Sequence, residues 1–399
     1  MRSLKQGWCG FVGAALLLTL AGCSAASTDP SDDDWAGTSQ PLSEIVGAKG
    51  VRLTLVGKAK WRAVKPGELA NREGAVVEAA AEATTDVNQL ADELRGVVLS
   101  GDYEYRQASA DLELARRVIA ARGTGQGTGS VSNQGSAPDA APKVGRSVIG
   151  SDGRSYVSNN TGFPWRTFVW SEAQCTGTMI GPGTMVTAAH CVYDTINNAW
   201  YKVFDTVSGV NRWPRYAPGV DGRDATPAPY GWQQCYDVAV PGGYANSTSE
   251  TDATALLYDY AVLDFSTRCG RRPGDATGWM GTWFYTAAGI QGLRTYLYGY
   301  PSVALGVGRY TGDIPNHYAE LWGMSGSAGT TYIGIPSTEL QTTIDSYAGE
   351  SGAAYYVNDT DYRVIGIHHG GNSTINAGRF YDVDVFNFWD AHSPYPQQQ

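Results

Sequence analysis

The sequence predicts an all-β domain over residues 147–399, preceded by a shorter helical segment. Tryptophan (12), tyrosine (24) and glycine (50) are abundant in the 399 residues, while charged residues make up only 17% of them. That composition suits strands and turns better than helices. After Arg146, short β-branched or aromatic runs such as RTFVW, AVLDF and LRTYLYGY are bounded by Gly, Pro, Asn and Asp. Many short strands with turn signals between them indicate a sandwich or a barrel.

The N-terminus has the features of an export signal. Arg2 and Lys5 precede the apolar run GFVGAALLLTLAG, which leads to Cys23 and is too short for a comfortable membrane span. LAGC also matches the bacterial lipobox, in which the cysteine is lipidated. We therefore expect a signal peptide over 1–22 and a secreted or cell-surface domain that contacts the membrane only through a lipid on Cys23. Ordinary cleavage after Ala25 is the alternative.

Residues 23–122 are expected to form a tether and a helical propeptide. Residues 24–45 are polar and acidic, which is typical of a disordered tether. Between 51 and 122, alanine, leucine and glutamate are frequent and apolar residues recur three or four apart, as in amphipathic helices. A flexible Gly/Ser/Ala/Pro linker over 123–146 ends at Arg146, the expected processing site. A helical module that stays attached and binds a partner is the alternative.

Charge and cysteine content narrow the function classes. A net charge of −10 argues against nucleic acid as a partner, since a phosphate backbone requires a basic face. No zinc-type spacing of His and Cys occurs in the sequence, so no metal and no other cofactor is expected. Outside the signal and the lipobox, an even number of cysteines suggests two disulfides in an exported protein, and these cysteines are Cys175, Cys191, Cys235 and Cys269. A Cys175–Cys191 bond would close a hairpin and hold the backbone beside His190.

Three motifs could carry nucleophilic catalysis. His190 ends the apolar run TMVTAAH, Asp259 precedes the strand AVLDF, and Ser325 lies in LWGMSGSAGT. A buried aspartate can hold an imidazole in one tautomer, and that imidazole can then deprotonate a serine. Glycines around Ser325 would let the chain turn and direct two N–H groups at an oxyanion. Each residue also has a structural interpretation, as a core histidine, a strand cap and a polar turn.

Five blocks of the chain resemble the chymotrypsin-fold serine proteases, most closely the bacterial glutamyl endopeptidases. CTGTMIGPGTMVTAAHC, DYAVLDF and GMSGS are similar to their three catalytic blocks. RSVIGSDGRSYVSNNTGFPW is similar to the start of the mature enzyme, and VIGIHHGGN to the strand whose histidine lines the specificity pocket. The resemblance covers residues 146–390 and implies two six-stranded antiparallel β-barrels with the active site between them. We expect a monomeric endopeptidase that acts on polypeptides.

The resemblance implies a role for each matching catalytic residue. Ser325 would be the nucleophile, with Ser327 as a structural neighbour. His190 would be the general base and then the general acid, and Asp259 would orient it. The N–H groups of Gly323 and Ser325 would form the oxyanion hole.

The substrate preference has two interpretations. His368 would line the pocket, and cleavage after Arg146 would free the amine of Ser147 to bind a substrate carboxylate; the adjacent His369, on the other strand face, would be structural. In the glutamyl branch a threonine or serine five residues before the nucleophile also holds that carboxylate, whereas this chain has Glu320 at that offset. Glu320 would repel glutamate and attract lysine or arginine. Glutamyl specificity is the leading hypothesis, trypsin-like Arg/Lys specificity the second, and an inactive protease-fold binding module the alternative of another class.

Two further departures from the family concern the region after the serine motif. Ala328 stands where the family has proline, which changes backbone stiffness more than chemistry. Residues 330–360 are expected to be an inserted surface loop or hairpin near the substrate cleft.

Overall fold

The computed structural model describes most of the chain after residue 40. The described residues are 41–64, 69, 84–124, 146–149, 151–205, 208–222, 228–282, 287–290, 293–301, 320–327, 332–333, 339–358, 361–371 and 375–394. Gln40–Gln399 is one compact unit. The expected signal peptide, Cys23 and nearly all of the expected linker lie outside the described residues.

The elements before the linker are mainly strands. They are β1 (Glu44–Val46), β2 (Arg52–Lys58), β3 (Trp61–Val64), α1 (Val87–Glu93), β4 (Gly96–Ser100), β5 (Tyr103–Gln107) and α2 (Leu112–Thr124). Both helices begin within residues 51–122, the stretch predicted to be helical. The expectation of a helical segment is wrong for much of its described part, because β5 pairs with both β2 and β4, and β4 pairs with the following domain.

The first half of the remaining chain contains short strands and two short helices. They are β6 (Arg146–Ser147), β7 (Ser155–Tyr156), β8 (Phe168–Ser171), β9 (Thr176–Met179), β10 (Thr184–Thr187), β11 (Tyr193–Asp194), β12 (Ala199–Phe204), β13 (Asn211–Arg212), β14 (Tyr216–Pro218), β15 (Asp237–Pro241), α3 (Gly242–Ala245), α4 (Ala253–Leu257) and β16 (Ala261–Asp264).

The second half also consists of short strands and short helices, and it ends in a longer helix. Its elements are α5 (Gly274–Thr277), α6 (Ala287–Ile290), β17 (Arg294–Gly299), β18 (Trp322–Ser327), β19 (Tyr332–Ile333), β20 (Glu339–Thr342), β21 (Ser346–Tyr347), β22 (Ala354–Val357), β23 (Arg363–Gly371), β24 (Asn376–Phe380) and α7 (Val383–His392).

Two large sheets organise the part of the chain that is described. The first has the order β1-β2-β5-β4-β15-β16-β10-β9-β8-β14, and six of its ten strands come from residues after the linker. The second has the order β19-β20-β24-β23-β22-β17-β18-β7. Smaller sheets join β11, β12, β13 and β3, and pair β21 with β6. Both large sheets are antiparallel in all their pairings, so the predicted all-β class is confirmed.

The strands nearest the candidate site are buried along their whole length. Every residue of β10, β16 and β22 is buried. Because both faces of these strands are covered, their sequences TMVT, AVLD and AYYV do not alternate buried apolar residues with solvent-exposed polar ones. The second sheet packs on a core that includes Leu297, Leu340, Tyr355, Ile365 and Phe380. Within the described ranges, no helix combines the length and the apolar character needed to cross a membrane.

Candidate active site

His190 and Asp259 meet at the same end of two paired strands. β10 ends at Thr187, whose partner across the ladder is Ala261, the first residue of β16. His190 follows β10 in a short 3-10 turn, and Asp259 precedes β16. Asp259 Oδ2 is 2.7 Å from His190 Nδ1, and Asp259 Oδ1 accepts from the His190 backbone N–H at 2.9 Å. The contact expected from the sequence is therefore present.

The charge state of Asp259 suits an orienting role. Asp259 is only 1% exposed. Burial by itself would raise its pKa, but the charge of His190 and the hydrogen bonds from His190 outweigh burial, so the pKa is lowered. Because an ionised carboxylate can only accept, the proton of a neutral His190 ring sits on Nδ1 and Nε2 is the basic nitrogen.

His369 is a second imidazole beside this pair. It interacts electrostatically with both Asp259 and His190. Burial lowers the pKa of His369 to about 4, although Asp259 opposes that shift. Among the described residues, neither ring nitrogen has a hydrogen-bond partner. At neutral pH His369 is therefore an uncharged, buried ring.

The two predicted disulfides are present. Cys175 is bonded to Cys191, the residue after His190, and Cys235 is bonded to Cys269. A ring nitrogen of His190 lies within 4.8 Å of the sulfurs of Cys175 and Cys191. Since both sulfurs are in the disulfide, this group offers no thiolate to a metal. The Cys175–Cys191 bond instead fixes the backbone next to His190, as the sequence predicted.

Ser325 hydrogen-bonds to Arg294 rather than to His190. It lies in β18 opposite Tyr296 of β17, and Tyr296 is opposite Tyr356 of β22. Neighbouring strands are about 4.8 Å apart, so Ser325 is roughly 10 Å to the side of Tyr356. Its hydroxyl accepts hydrogen bonds from Arg294, at 2.7 Å from Nη2 and 3.2 Å from Nε.

The expected oxyanion hole is also incompatible with this strand. Gly323 and Ser325 belong to an extended ladder in which all of Trp322–Ser327 pairs with Arg294–Gly299. N–H groups two residues apart in a strand are parallel and separated by about 6.6 Å. Two donors at that spacing cannot both lie near 3 Å from one oxygen. The geometry therefore argues against Ser325 as nucleophile and against Gly323 and Ser325 as oxyanion donors.

A different serine, Ser351, packs against the residues that carry His190. Cys191 Sγ lies 3.6 Å from the Ser351 carbonyl oxygen. The same oxygen accepts from the backbone N–H of Thr176 at 2.8 Å. A Cβ on the next residue, Gly352, would be 2.0 Å from Thr187 Oγ1 and 2.9 Å from the Ala188 backbone nitrogen. Ser351 therefore sits against the end of β10 and the turn that presents the imidazole.

The backbone around Ser351 turns sharply. Gly349 and Gly352 have φ values of +97° and +84°, conformations that glycine adopts without a steric penalty. The Glu350 N–H donates to Tyr347 O at 3.0 Å, and the Ala353 N–H donates to Glu350 O at 2.9 Å. Such a folded turn, unlike a strand, can direct neighbouring N–H groups toward a common point. This is the geometry that the sequence analysis expected around Ser325.

The sequence contains the same serine motif twice. Residues 349–352 read GESG, the same Gly-x-Ser-Gly pattern as GMSG at 323–326. The stretch expected to be an inserted surface loop or hairpin contains β21, the Ser351 turn and β22. β22 then pairs directly with β23, the strand of His368.

His368 lies deep in the second sheet, close to Ser351 along the ladder. The Gly352 N–H donates to His368 O at 2.7 Å, and the His368 N–H donates to Ala353 O at 2.8 Å. In the ring, Nδ1 is 2.9 Å from both Tyr355 Oη and Ala377 O. Nε2 has no hydrogen-bond partner among the described residues. Burial lowers the pKa of His368 to about 3, so the ring is neutral in this state.

Ser147 lies beside the segment that leads to Ser351. The backbone of β6 pairs with β21, with Ser147 opposite Ser346 and Arg146 opposite Tyr347. Ser346 is fully buried and its hydroxyl donates to Asn376 Oδ1 at 2.8 Å. Ser346 stands five residues before Ser351, the offset at which the glutamyl branch has threonine or serine.

Glu320 is buried at the start of the segment that carries Ser325. It lies two residues before β18, is 3% exposed, and its Oε2 accepts from Trp322 Nε1 at 3.1 Å. The argument that it lines the pocket depended on counting back from Ser325. That count no longer applies when Ser351 is the reference.

Sequence and structure comparisons place these residues in context. The model of a family described as Trypsin matches residues 152–389, which include His190, Asp259 and both candidate serines. The chain is 30% identical to a Glutamyl endopeptidase of Bacillus licheniformis over 279 residues, 65% of this chain and 75% of that one. It is 29% identical to an Extracellular metalloprotease of Bacillus subtilis over 252 residues, 60% of this chain and 68% of that one. A solved structure of a Glu endopeptidase in complex with MPD aligns with a TM-score of 0.46 at 27% identity, covering 60% of this chain and 96% of that one.

Proposed function

Because the chain belongs to the trypsin family and is a serine endopeptidase, we propose that Ser351 is its nucleophile and that it cleaves after glutamate. His190 is the general base and Asp259 its orienting carboxylate. The observation that carries the assignment is the packing of the Ser351 turn against Cys191 and Thr187, on either side of the imidazole.

The reaction follows from these positions. Ser351 Oγ attacks the carbonyl carbon of the scissile bond while His190 Nε2 takes its proton. The N–H groups of Gly349 and Ser351 bind the oxyanion that forms. His190 then protonates the leaving amine, and the acyl group stays on Ser351. Water, deprotonated by His190, attacks this ester and releases the new carboxylic acid and the serine.

The residues around the turn support a pocket for an acidic side chain. Ser346, His368 and the amine that cleavage would free at Ser147 all adjoin the path to Ser351. If His368 Nδ1 donates its proton to Ala377 O, Nε2 of the neutral ring is bare and binds a carboxylate only by taking up a proton. A substrate carboxylate nearby favours that uptake, since an opposite charge raises an imidazole pKa.

One observation favours the alternative of cleavage after arginine or lysine. Asp345 precedes Ser346, is 3% exposed, and would attract a basic side chain. Both of its oxygens, however, accept backbone N–H groups, from Ile149 and Gly153 at 2.7 Å each. Its charge is therefore directed at the segment after the processing site.

Covalent labelling tests the catalytic assignment. A fluorophosphonate probe should modify Ser351 in the processed enzyme, with the site identified by peptide mass spectrometry. Ser351→Ala should lower kcat by about 10⁴-fold or more, because the nucleophile is lost. Ser325→Ala, the matched serine control, should leave kcat close to wild type. A label on Ser325 would reverse the assignment, and no label at all would support an inactive binding module.

A peptide library tests the specificity. We expect cleavage after Glu, with His368→Ala and Ser346→Ala raising KM for glutamyl peptides. The KM of a glutamyl substrate should also rise with pH more than that of its glutaminyl analogue, because only the carboxylate draws a proton onto His368. Cleavage after Arg or Lys would instead support the trypsin-like alternative.

We further propose that the protein acts outside the cytoplasm, with cleavage after Arg146 and a lipid on Cys23. Two disulfides support an oxidising compartment. Metabolic labelling with palmitate tests the anchor. Label that disappears in Cys23→Ala, with release of the enzyme into the medium, is the expected result, and an unlabelled wild type would rule the anchor out.

A further inference from the structure

We propose that Arg154 is a positioning residue that holds the Ser351 turn in its working shape through a buried ion pair with Glu350. This inference rests on the proposed assignment of Ser351 as nucleophile. Glu350 directly precedes Ser351, so fixing the Glu350 side chain also restricts the backbone position of Ser351. Arg154 belongs to the segment that follows the expected processing site at Arg146.

The ion pair is shielded from water and joins Arg154 to one of the two carboxylate oxygens of Glu350, while Oε2 has no hydrogen-bond partner among the described residues. Arg154 Nη1 is 2.7 Å from Glu350 Oε1, and neither side chain has exposed surface. The rest of the guanidinium binds Asp152, with Nε 3.0 Å from Oδ1 and Nη2 2.9 Å from Oδ2. Its central carbon lies 4.9 Å from the centre of the Tyr347 ring. These contacts fix one planar group in position and orientation, which a flexible ammonium would not achieve.

The same segment holds the beginning of the turn. Asp345 accepts the backbone N–H groups of Ile149 and Gly153, one on each carboxylate oxygen. Ile149 and Gly153 therefore bind Asp345, and Arg154 binds Glu350, at the two ends of the stretch that leads to Ser351. Fixing both ends reduces the number of conformations that the turn can adopt.

Loss of Arg154 would leave the buried Glu350 carboxylate without its cationic partner. An unpaired buried carboxylate is costly, so the side chain would move toward solvent. Its inward position depends on close packing over β17, where a Cβ at Gly299 would be 2.8 Å from Glu350 Cγ. The glycines on either side of residues 350–351 offer little resistance to such a movement. Because Ser351 is the next residue, its N–H and its hydroxyl would move as well.

The protonation of Glu350 supplies a diagnostic readout. Burial raises the pKa of Glu350 to about 7, with Arg154 and the Tyr347 backbone opposing the rise and Asp152 adding to it. Arg154 and Asp152 are the charged groups that face it, and β17 contributes the non-titrating Gly299. Removing Arg154 raises this pKa further. In such a variant, acidification protonates the carboxyl group, and the free-energy cost of burying it falls.

The experiment compares Arg154→Met with Arg212→Met in the processed enzyme. Arg212 is the matched control, because its guanidinium also forms ion pairs, with Glu172 and Asp205, but it belongs to β13 in one of the smaller sheets and its side chain is 13% exposed. We expect Arg154→Met to lower kcat by about 10²-fold with little change in KM, the effect of a displaced oxyanion donor. The rate of fluorophosphonate labelling at Ser351 should fall in parallel. Arg212→Met should leave both rates near wild type at temperatures below its melting transition.

Two further measurements separate positioning from general stability. The ratio of Arg154→Met to wild-type kcat should rise as the pH falls from about 8 to about 6, and comparison at each pH cancels the titration of His190. Adding Glu350→Gln to Arg154→Met should recover about tenfold of the lost rate, because a neutral amide needs no cation. Labelling at the wild-type rate in Arg154→Met, a pH-independent ratio, or no recovery in the double variant would each overturn the proposal.

Folding failure does not leave the question open. If Arg154→Met does not fold, Arg154→Lys replaces it: a lowered kcat at unchanged KM supports the positioning role, and a wild-type kcat overturns it. Mapping the probe on the wild-type enzyme distinguishes the two levels of inference. A label on Ser325 would remove the proposed function, whereas a label on Ser351 together with an unaffected Arg154→Met would remove only the role of Arg154.

Discussion

Ser147 lies directly opposite Ser346 in the antiparallel ladder of β6 and β21. The peptide bond between Arg146 and Ser147 is therefore held against the strand that leads to Ser351. Cleavage of that bond would divide β6 and create an amine at Ser147, opposite Ser346. In physical terms, processing would add a positive charge beside Ser346.

A chain that cannot be processed should bind glutamyl substrates poorly. Arg146→Gln should raise KM for a glutamyl peptide by about tenfold or more, because a charged hydrogen bond to the substrate carboxylate is missing. KM for the glutaminyl analogue should change little. Steady-state kinetics on the cut and uncut forms provide the measurement. Equal changes for both peptides would show that the amine does not contact the substrate carboxylate.

The N-terminal segment should remain bound after cleavage. All five residues of β4 pair with β15, which would otherwise present an open sheet edge. Side chains reinforce this pairing: Trp200 Nε1 donates to Glu104 Oε2 and Trp213 Nε1 to Asp102 Oδ1, both at 3.1 Å. We expect the cleaved N-terminal fragment to co-elute with 147–399 in gel filtration and to separate in urea. Elution of 147–399 alone in native buffer would contradict this.

Asp259→Asn should preserve the structure and remove most of the activity. An asparagine can donate to Nδ1 as well as accept from it, so it no longer selects the tautomer with a basic Nε2. The expected loss is about 10⁴-fold in kcat with KM nearly unchanged. Full activity at neutral pH would show that this carboxylate does not orient His190. Circular dichroism should confirm that the variant is folded.

Acid should destabilise the protein partly through His392. Burial lowers the pKa of His392 to about 4, and its ring lies against Gly96 of β4 and 4.6 Å from the Phe388 ring. The unfolded chain takes up this proton near pH 6.5, whereas the native state does so only near pH 4. Stability is therefore complete above about pH 6.5 and falls toward pH 4, by about 1.4 kcal/mol per pH unit for one proton.

The dependence of Tm on pH measures this contribution. His392→Gln should flatten the curve between about pH 6.5 and pH 4, because one proton-binding difference is removed. Asn387→Ala, on the same helix α7, removes a polar side chain that does not titrate and serves as the control. It should shift Tm without altering the slope. Parallel curves for His392→Gln and wild type would contradict the prediction.

Features that depend on neighbours in the chain were predictable. The buried strands around His190 and Asp259 were recognisable as short apolar runs, and their pairing brings those two residues together at one end. The Cys175–Cys191 bond was predictable because the cysteines bracket a hairpin. The strands β2, β4 and β5 were missed because their pairing partners are distant or lie across a turn, and local apolar spacing there resembled helices.

By itself, the sequence determined the class of the domain, the histidine, the aspartate and the disulfides, since each depends on residue type and short-range pattern. It could not choose between GMSG and GESG, because two glycine-flanked serines have the same local preferences. Tertiary structure is what favours GESG in the proposed assignment. Pairing of β18 with β17 stretches Ser325 into a ladder beside Arg294, while the turn before β22 places Ser351 against Cys191. The physical reason is that strand register and burial, which act between distant segments, determine which hydroxyl a given imidazole can reach.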